Sequence, residues 1–166
     1  MKAPNTLLTL FLLLIISGTN AINNFKYMSL ADQFMAPQNA ARAALGMRPM
    51  VWSGRLAQYA QWYANQRRYD CALVHSNGPY GENIFWGSGF GWTPIQAAKA
   101  WIDERRWYYH RSNSCADGQV CGHYTQIVWR DTKKIGCAQV TCAGGKGVFM
   151  TCNYDPPGNY YGEKPY

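Results

Sequence analysis

Residues 134–154 read KIGCAQVTCAGGKGVFMTCNY and carry the strongest fold signal in the chain. The runs KIGCAQVTC and GVFMTCNY have the two-residue period of β-strands, and Gly144 and Gly145 between them suit a two-residue hairpin turn. Both strands are apolar on both faces, which is typical of a sheet that helices cover on each side. The stretch therefore predicts an antiparallel hairpin inside an α+β fold.

This hairpin also predicts how the six cysteines pair. With the two glycines at the turn, Cys137 lies directly opposite Cys152, at a Cα separation that a disulfide can bridge. Cys142 has the opposite parity along its strand and points to the other face of the sheet. Cys115 and Cys121 flank a short loop and can close it. By elimination, the predicted disulfides are Cys71–Cys142, Cys115–Cys121 and Cys137–Cys152.

Three segments before the hairpin have helical periodicity. Residues 30–45 are rich in alanine, and residues 55–69 repeat apolar side chains at helical spacing. A third helix, 93–107, begins with a capping box in which Thr93 is the cap and Gln96 is its partner. Together with the hairpin, these segments predict helices packed on a small antiparallel sheet.

Two further stretches have less regular patterns. The run YTQIVWR, 124–130, alternates in polarity and predicts another strand. The segment HSNGPYGENIFWGSGFGW, 75–92, is rich in glycine and aromatic residues and predicts a loop. That loop either packs tightly on the surface or walls an apolar groove, because aromatic side chains make large flat contacts.

Four side chains form the candidate site. His75 and Glu82 lie seven residues apart in the loop 75–92, Glu104 lies near the end of the third helix, and His123 opens the next element. The first predicted disulfide would hold the loop near the sheet, so the two histidines and two glutamates are expected to line one cavity. A simpler interpretation is that they brace one another through hydrogen bonds.

Three chemistries could use such a cluster. Two imidazoles and a carboxylate can bind zinc, two glutamates can act as acid and base on a glycosidic bond, and two histidines can catalyse acid–base cleavage of RNA. The chain has no H-E-x-x-H, G-x-S-x-G or paired C-x-x-C motif to favour any of them. A metal-assisted hydrolase is therefore kept as an alternative, with no catalytic residue assigned.

The N-terminus and the charge indicate where the protein works. Residues 1–21 contain the apolar run LLTLFLLLII, 7–16, followed by small residues, which predicts a cleaved signal peptide. The even number of cysteines agrees with secretion. The net charge is +7, or +6 without Lys2, and the basic residues are scattered. We therefore expect no nucleic-acid partner, which would need a clustered basic face.

Four motifs together resemble one known family. The segments HSNGPYGEN, WIDE, CGHYTQIVWR and CNYDPPGNYYGEKPY are similar to those of the CAP superfamily, which joins cysteine-rich secretory proteins, antigen 5 and pathogenesis-related class 1 proteins. The short basic chain is most similar to the plant pathogenesis-related class 1 proteins. The resemblance covers residues 22–166, which we expect to form a single CAP domain.

The resemblance implies a fold and a site. The fold would be a three-layer α-β-α sandwich with the same three disulfides. The cavity tetrad would be His75, Glu82, Glu104 and His123, with the two histidines as ligands of a divalent metal such as zinc, which is not required. One position departs from the family, because Gln38 stands where a histidine is common.

The resemblance also implies a function. Plant members are not established enzymes; they are secreted to the apoplast and inhibit fungi and oomycetes. Family members bind sterols, and the favoured account of the inhibition is that sterols or related lipids of pathogen membranes are sequestered. We expect the same here, from a monomer.

The C-terminus carries a second implied function. Residues 156–166, PPGNYYGEKPY, match a family pattern for a peptide that is released after CNYD and signals defence. The cut would fall between Asp155 and Pro156, which implies an apoplastic protease and a peptide receptor. Because the segment is rich in proline and glycine, we expect it to detach at modest cost.

Overall fold

The computed structural model describes residues 28–166. The predicted signal peptide, residues 1–21, lies outside this range. Within the described residues, no helix is both long and apolar enough to cross a membrane. The helices are α1 (Leu30–Ala43), α2 (Gly54–Arg67), α3 (Pro94–Asp103) and α4 (Gly122–Ile127), with 3-10 turns at Glu104–Trp107 and Ala143–Gly145. The strands are β1 (Val51–Trp52), β2 (Gly81–Gly87), β3 (Tyr108–Tyr109), β4 (Ser114–Cys115), β5 (Lys134–Thr141) and β6 (Val148–Asp155).

Four strands form the central sheet, in the order β1-β5-β6-β2. β1 runs parallel to β5, and the other neighbouring pairs are antiparallel. Strands β3 and β4 form a separate two-stranded sheet.

Helices cover both faces of the central sheet. On one face, Ala60 and Tyr63 of α2 pack with Val140 and Phe149 of the hairpin. On the other face, side chains of α1, α3 and α4 pack against the strand side chains that point away from α2. All of β6 from Val148 to Tyr154 is buried, which explains why its sequence is apolar on both faces. The predicted three-layer α-β-α sandwich is confirmed.

The disulfides confirm the predicted pairing. Cys71–Cys142, Cys115–Cys121 and Cys137–Cys152 are all formed, and the described residues contain no free cysteine. Cys137 faces Cys152 in the β5–β6 register, with Cα atoms 4.0 Å apart. The turn itself is longer than predicted, because pairing stops at Thr141 and Val148. The predicted register of β5 with β6 is nevertheless correct, because Gly144 and Gly145 lie at the centre of the longer connection, with φ of 66° and 71°.

The capping box of the third helix is confirmed, with Thr93 and Gln96 bonded reciprocally. The regular helix ends at Asp103, and the rest of the predicted segment continues as the 3-10 turn. The other two predicted helices end two residues early, at Ala43 and Arg67.

The predicted strand 124–130 is wrong. Its first residues belong to α4, in which Tyr124 and Ile127 are buried at a spacing of three. The free N–H groups of His123 and Tyr124 in its first turn donate to the carboxylate of Glu104, at 3.0 and 3.2 Å. This cap comes from 19 residues earlier, so no local pattern reveals it.

The predicted loop 75–92 contains the strand β2, which pairs along its whole length with β6. Its two end glycines favoured a loop assignment, but both are there for close packing. A Cβ on Gly81 would lie 2.1 Å from the Gln126 side chain, and one on Gly87 would lie 2.4 Å from Trp92. Glycine therefore marks the two ends of a strand here.

Candidate functional site

His123 and Glu104 form the more buried pair of the candidate site. The Nδ1 atom of His123 lies 2.6 Å from Oε1 of Glu104, whose other oxygen accepts the two N–H groups that begin α4. The imidazole also stacks on Trp101, with ring centroids 6.1 Å apart. Glu104 therefore orients His123 and caps its helix at the same time.

His75 and Glu82 form the second pair. His75 Nδ1 lies 2.8 Å from Glu82 Oε1, which also accepts the N–H of Ser76 at 2.9 Å. The other oxygen of Glu82 accepts from the amide of Asn153 at 3.2 Å. The side chain of Glu82 is 5% exposed and that of His75 is 54% exposed. The pair thus presents an imidazole to solvent on a buried carboxylate.

The electrostatics of this second pair favour its charged form. The hydrogen bond to Glu82 raises the pKa of His75, and burial only partly opposes this rise. Burial by itself would raise the pKa of Glu82, but the hydrogen bonds from His75, Ser76 and Asn153 outweigh it and the pKa is lowered.

A buried polar chain lies between β2 and α4. The amide of Asn83 donates to the main-chain oxygen of His123 at 3.0 Å and to the hydroxyl of Tyr154 at 3.1 Å. That hydroxyl donates to Gln38 at 2.7 Å, and burial raises its pKa well above the ordinary value. Gln38 is fully buried in α1. The residue that departs from the family pattern thus serves this network as an acceptor.

The four predicted residues are brought together as two pairs. A cleft of about 250 Å³ has His75 and Glu82 in its wall, but neither Glu104 nor His123 is among its lining residues. Within residues 28–166, no three histidine, cysteine or acidic side chains form a group that could hold a metal. The single shared cavity stays a prediction.

The chemistry of the two histidines nevertheless fits a metal ligand. Each Nδ1 atom is held by a carboxylate, and neither Nε2 atom takes a hydrogen bond from the described residues. Histidines that bind metals commonly have this arrangement, in which the second nitrogen donates to a carboxylate. Each histidine thus has the side-chain environment of a metal ligand, and the binding of one divalent ion by both stays a prediction.

An apolar cleft of about 450 Å³ lies between α1 and α3, and its lining contains no residue of the two pairs. Its lining consists of Met28, Ala36, Pro37, Ala40, Ala41, Ile95, Lys99 and Ile102. This cleft was not predicted from the sequence. The features in the sequence that belong to it are a run of small residues in α1 and the pair Ile95 and Ile102 in α3. Each of these patterns by itself is typical of an ordinary helix face.

The aromatic residues of 85–92 divide between both predicted roles. Phe85 and Trp92 pack edge to face with centroids 5.3 Å apart, and Trp92 donates to the Ser88 oxygen at 2.8 Å. Trp86 and Phe90 are exposed. Only part of the segment is therefore available to a ligand.

The C-terminal segment is attached more firmly than its composition suggests. At its start, the oxygen of Asp155 accepts the N–H of Lys133 at 3.0 Å, and the oxygen of Pro156 accepts the hydroxyl of Thr132 at 2.9 Å. Asp155 is the last residue of β6 and pairs with Lys134 in the sheet register, and Pro156 lies just beyond the strand. Main-chain and side-chain hydrogen bonds thus tie both sides of the junction to the domain. The release of residues 156–166 stays a prediction.

Residues 35–154 match the model of the cysteine-rich secretory protein family, CAP. The chain belongs to this family. It is 63% identical over 164 residues to the pathogenesis-related protein PR-1 of Medicago truncatula, which covers 96% of this chain and 95% of that protein. It is 49% identical over 167 residues to the pathogenesis-related protein 1A of Nicotiana tabacum, with 99% and 96% covered. These relatives support a defence role; they are named as pathogenesis-related proteins and not as enzymes.

Solved CAP-fold structures are similar at lower identity. The crystal structure of Na-ASP-1 gives a TM-score of 0.71 at 26% identity, covering 84% of this chain and 41% of that one. The structure of BmVAL-1 gives 0.70 at 26% identity, with 84% of both chains covered. The structure of NaASP2 with Zn²⁺ gives 0.65 at 26% identity, with 81% and 83% covered. The fold of this CAP domain is thus shared with known structures, and its three disulfides fit an extracellular protein.

Proposed function

We propose that this CAP domain is a secreted plant defence protein that inhibits fungi and oomycetes by capturing sterols of their membranes. The observation that carries the proposal is the apolar cleft between α1 and α3. Its volume of about 450 Å³ falls in the range of roughly 300–1,000 Å³ that small-molecule sites occupy. Seven of its eight lining side chains are apolar, so a ligand with little polar surface suits it.

The shape of the lining favours a flat ligand. Ala36, Ala40 and Ala41 give α1 a surface of small side chains, while Ile95 and Ile102 of α3 supply bulk on the other side. A fused-ring sterol has a rigid, flat, apolar body, so it loses little conformational entropy when it lies against such a surface. Lys99 is the single polar side chain of the lining, as suits a ligand with one hydroxyl group.

An ergosterol titration of the mature, disulfide-intact protein tests this function. We expect saturable binding that Ala40→Trp weakens at least about tenfold, because the indole fills the cleft. Ala100→Trp is the matched control, since Ala100 is also exposed on a helix beside the cleft but is not part of its lining. Stearate is titrated in parallel. Binding of stearate without ergosterol, or ergosterol binding that ignores Ala40→Trp, would refute sterol capture in this cleft.

We further propose that a divalent ion such as zinc, if bound, is held by His75 and His123 and is not required for sterol capture. The cleft uses no residue of the two His–Glu pairs, so a chelator should leave the ergosterol titration unchanged. Zinc binding by calorimetry should be lost in the double variant His75→Ala/His123→Ala. Zinc binding that survives this variant would place the ion elsewhere.

A second candidate function is that of a peptide precursor. The tail matches the family pattern at Pro156, Gly158, Asn159, Pro165 and Tyr166. The middle of the tail is accessible, because Tyr160 and Tyr161 are exposed. An apoplastic protease would cut between Asp155 and Pro156, and a receptor would bind the peptide. Mass spectrometry of apoplastic fluid after infection should detect residues 156–166 as a free peptide; failure to detect it would rule out this function.

A further inference from the structure

The last two residues of the tail are seated in the domain. Pro165 is buried, and its oxygen accepts the N–H of Arg130 at 2.7 Å. The ring of Tyr166 stacks on His110 with centroids 4.4 Å apart and an interplanar angle of 10°. Nε2 of His110 donates to the main-chain oxygen of Tyr166 at 2.6 Å, and the Tyr166 hydroxyl lies 3.5 Å from that of Tyr124.

The first half of the tail has its own hydrogen bonds to the domain. The N–H of Gly158 donates to the buried side chain of Gln126 at 3.0 Å. Asn159 donates to the oxygen of Gly122 at 2.8 Å and accepts the hydroxyl of Thr125 at 2.7 Å. All three partners belong to α4, so one short helix carries this half.

The main chain of the tail is in close contact with the domain at Gly158, where a side chain would not fit. A Cβ at this position would lie 2.6 Å from Cγ of Trp129, so the main chain of the tail rests directly on the indole. Tyr160 then packs edge to face on the same ring, with centroids 5.9 Å apart. Between Asn159 and Pro165 the tail arches over a cavity of about 290 Å³.

The middle of the arch is also tied to the domain. Asn113 donates to the oxygen of Glu163 at 2.9 Å, and Lys164 donates to the oxygen of Arg111 at 3.3 Å. Hydrogen bonds from the domain thus reach seven of the eleven tail residues. These are Pro156, Gly158, Asn159, Glu163, Lys164, Pro165 and Tyr166.

We infer that the domain is a binding site for its own residues 156–166 and keeps this peptide bound after the chain is cut. The inference rests on the peptide-precursor function proposed above. An endopeptidase adds water across the Asp155–Pro156 bond, which leaves a carboxylate on Asp155 and a free amino group on Pro156. The hydrogen bonds that hold residues 156–166 are made by other atoms than those of the scissile C–N bond. The oxygen of Asp155 that accepts the N–H of Lys133 becomes part of the new carboxylate and stays on the domain. Cleavage and release are therefore two separate steps, and a second event must displace the peptide before a receptor can bind it.

The experiment uses the mature chain with a site-specific protease sequence inserted between Asp155 and Pro156. The chain is cut to completion, as judged by mass spectrometry under denaturing conditions, and run on native gel filtration. We expect the peptide to elute with the domain. Its appearance in the low-mass fractions as soon as the bond is cut would overturn the inference, as would loss of the native circular dichroism spectrum on cutting.

Labelled synthetic peptides test which contacts retain the tail. Peptides with the native sequence of 156–166 and with Tyr161→Ala should exchange equally well into the cut complex, because Tyr161 is fully exposed and has no hydrogen bond within the described structure. The Tyr166→Ala peptide should bind at least about tenfold more weakly, since it loses the stack on His110. Equal exchange of the two alanine peptides would overturn the proposed site.

The two proposals fail in different ways. A peptide that is absent from apoplastic fluid but retained in the cut complex refutes the precursor function and leaves the binding site. A peptide that is present in the fluid but lost at once from the cut complex refutes retention and leaves the precursor function.

Discussion

Replacing Arg42 with methionine tests whether one buried cation holds the segment that follows α4. Arg42 is 1% exposed. Its guanidinium donates to the main-chain oxygens of Arg48, Ile127, Trp129 and Thr132, at distances of 2.8, 2.9, 2.7 and 3.1 Å. Burial lowers the pKa of Arg42 because the charged form loses its water. The four main-chain oxygens take the place of that water, and each of them accepts a hydrogen bond from the charged guanidinium.

The expected loss of stability follows from the two oxygens that have no substitute partner. The oxygen of Trp129 also accepts the N–H of Thr132 at 3.2 Å, and Arg48 lies at the surface where water can reach it. The oxygens of Ile127 and Thr132 accept no other hydrogen bond from the described residues. A buried unpaired carbonyl costs about 1–3 kcal/mol. Methionine fills most of the volume, so we expect Arg42→Met to lower the free energy of unfolding by about 4 kcal/mol.

Equilibrium unfolding in urea, followed by tryptophan fluorescence with the disulfides intact, measures this loss. Arg48→Met is the matched control, because Arg48 is exposed and its side chain makes no hydrogen bond in the described structure. We expect the control to change the free energy of unfolding by no more than about 0.5 kcal/mol. If the two variants were equally stable, the four hydrogen bonds of Arg42 would not hold this segment and the reasoning would fail.

Two further predictions concern the His75–Glu82 pair and the packing of α2. The lowered pKa of Glu82 adds stability above its ordinary value of 4.5, and the raised pKa of His75 adds stability below its ordinary value of 6.5. The advantage of the wild type over Glu82→Gln should therefore be largest between these pH values and remain under about 1 kcal/mol, because His75 is half exposed; a flat difference from pH 4 to 8 would contradict this. Gly136→Ala should destabilise by about 1–3 kcal/mol, because its Cβ would lie 2.2 Å from the Ala57 nitrogen, whereas Gly54→Ala meets nothing within 4 Å. Equal melting temperatures for these two variants would show that α2 can shift away from the sheet.

The cysteine pairing was accessible from the sequence because strand parity and turn position are local properties. Two glycines placed Cys137 opposite Cys152, and the period of two sent Cys142 to the other face. The structure has both features, with Cys142 in the core beneath α2 and the other two in the core beneath α1 and α3. The error in the length of the turn did not matter, since it left the register unchanged.

The candidate site was predictable only as a set of residues. Each histidine does contact a glutamate, but the tetrad forms two pairs whose partners the spacing could not assign. The prediction of a strand at 124–130 was wrong because the structure of this segment also depends on a residue distant in the sequence. A six-residue helix is too short to be stable by its own propensity, and the carboxylate that caps it lies 19 residues away.

What the sequence by itself determined is local. Periodicity, capping and turn chemistry specified the three longer helices, the hairpin and the disulfides, and four motifs specified the family. What only the tertiary structure decided depends on residues far apart in the chain. The apolar cleft exists because α1 and α3 lie side by side, and the tail is held because α4, Arg130 and His110 converge beneath it. Such contacts produce no periodic pattern in either segment, because each residue packs against a neighbour that is distant in the sequence.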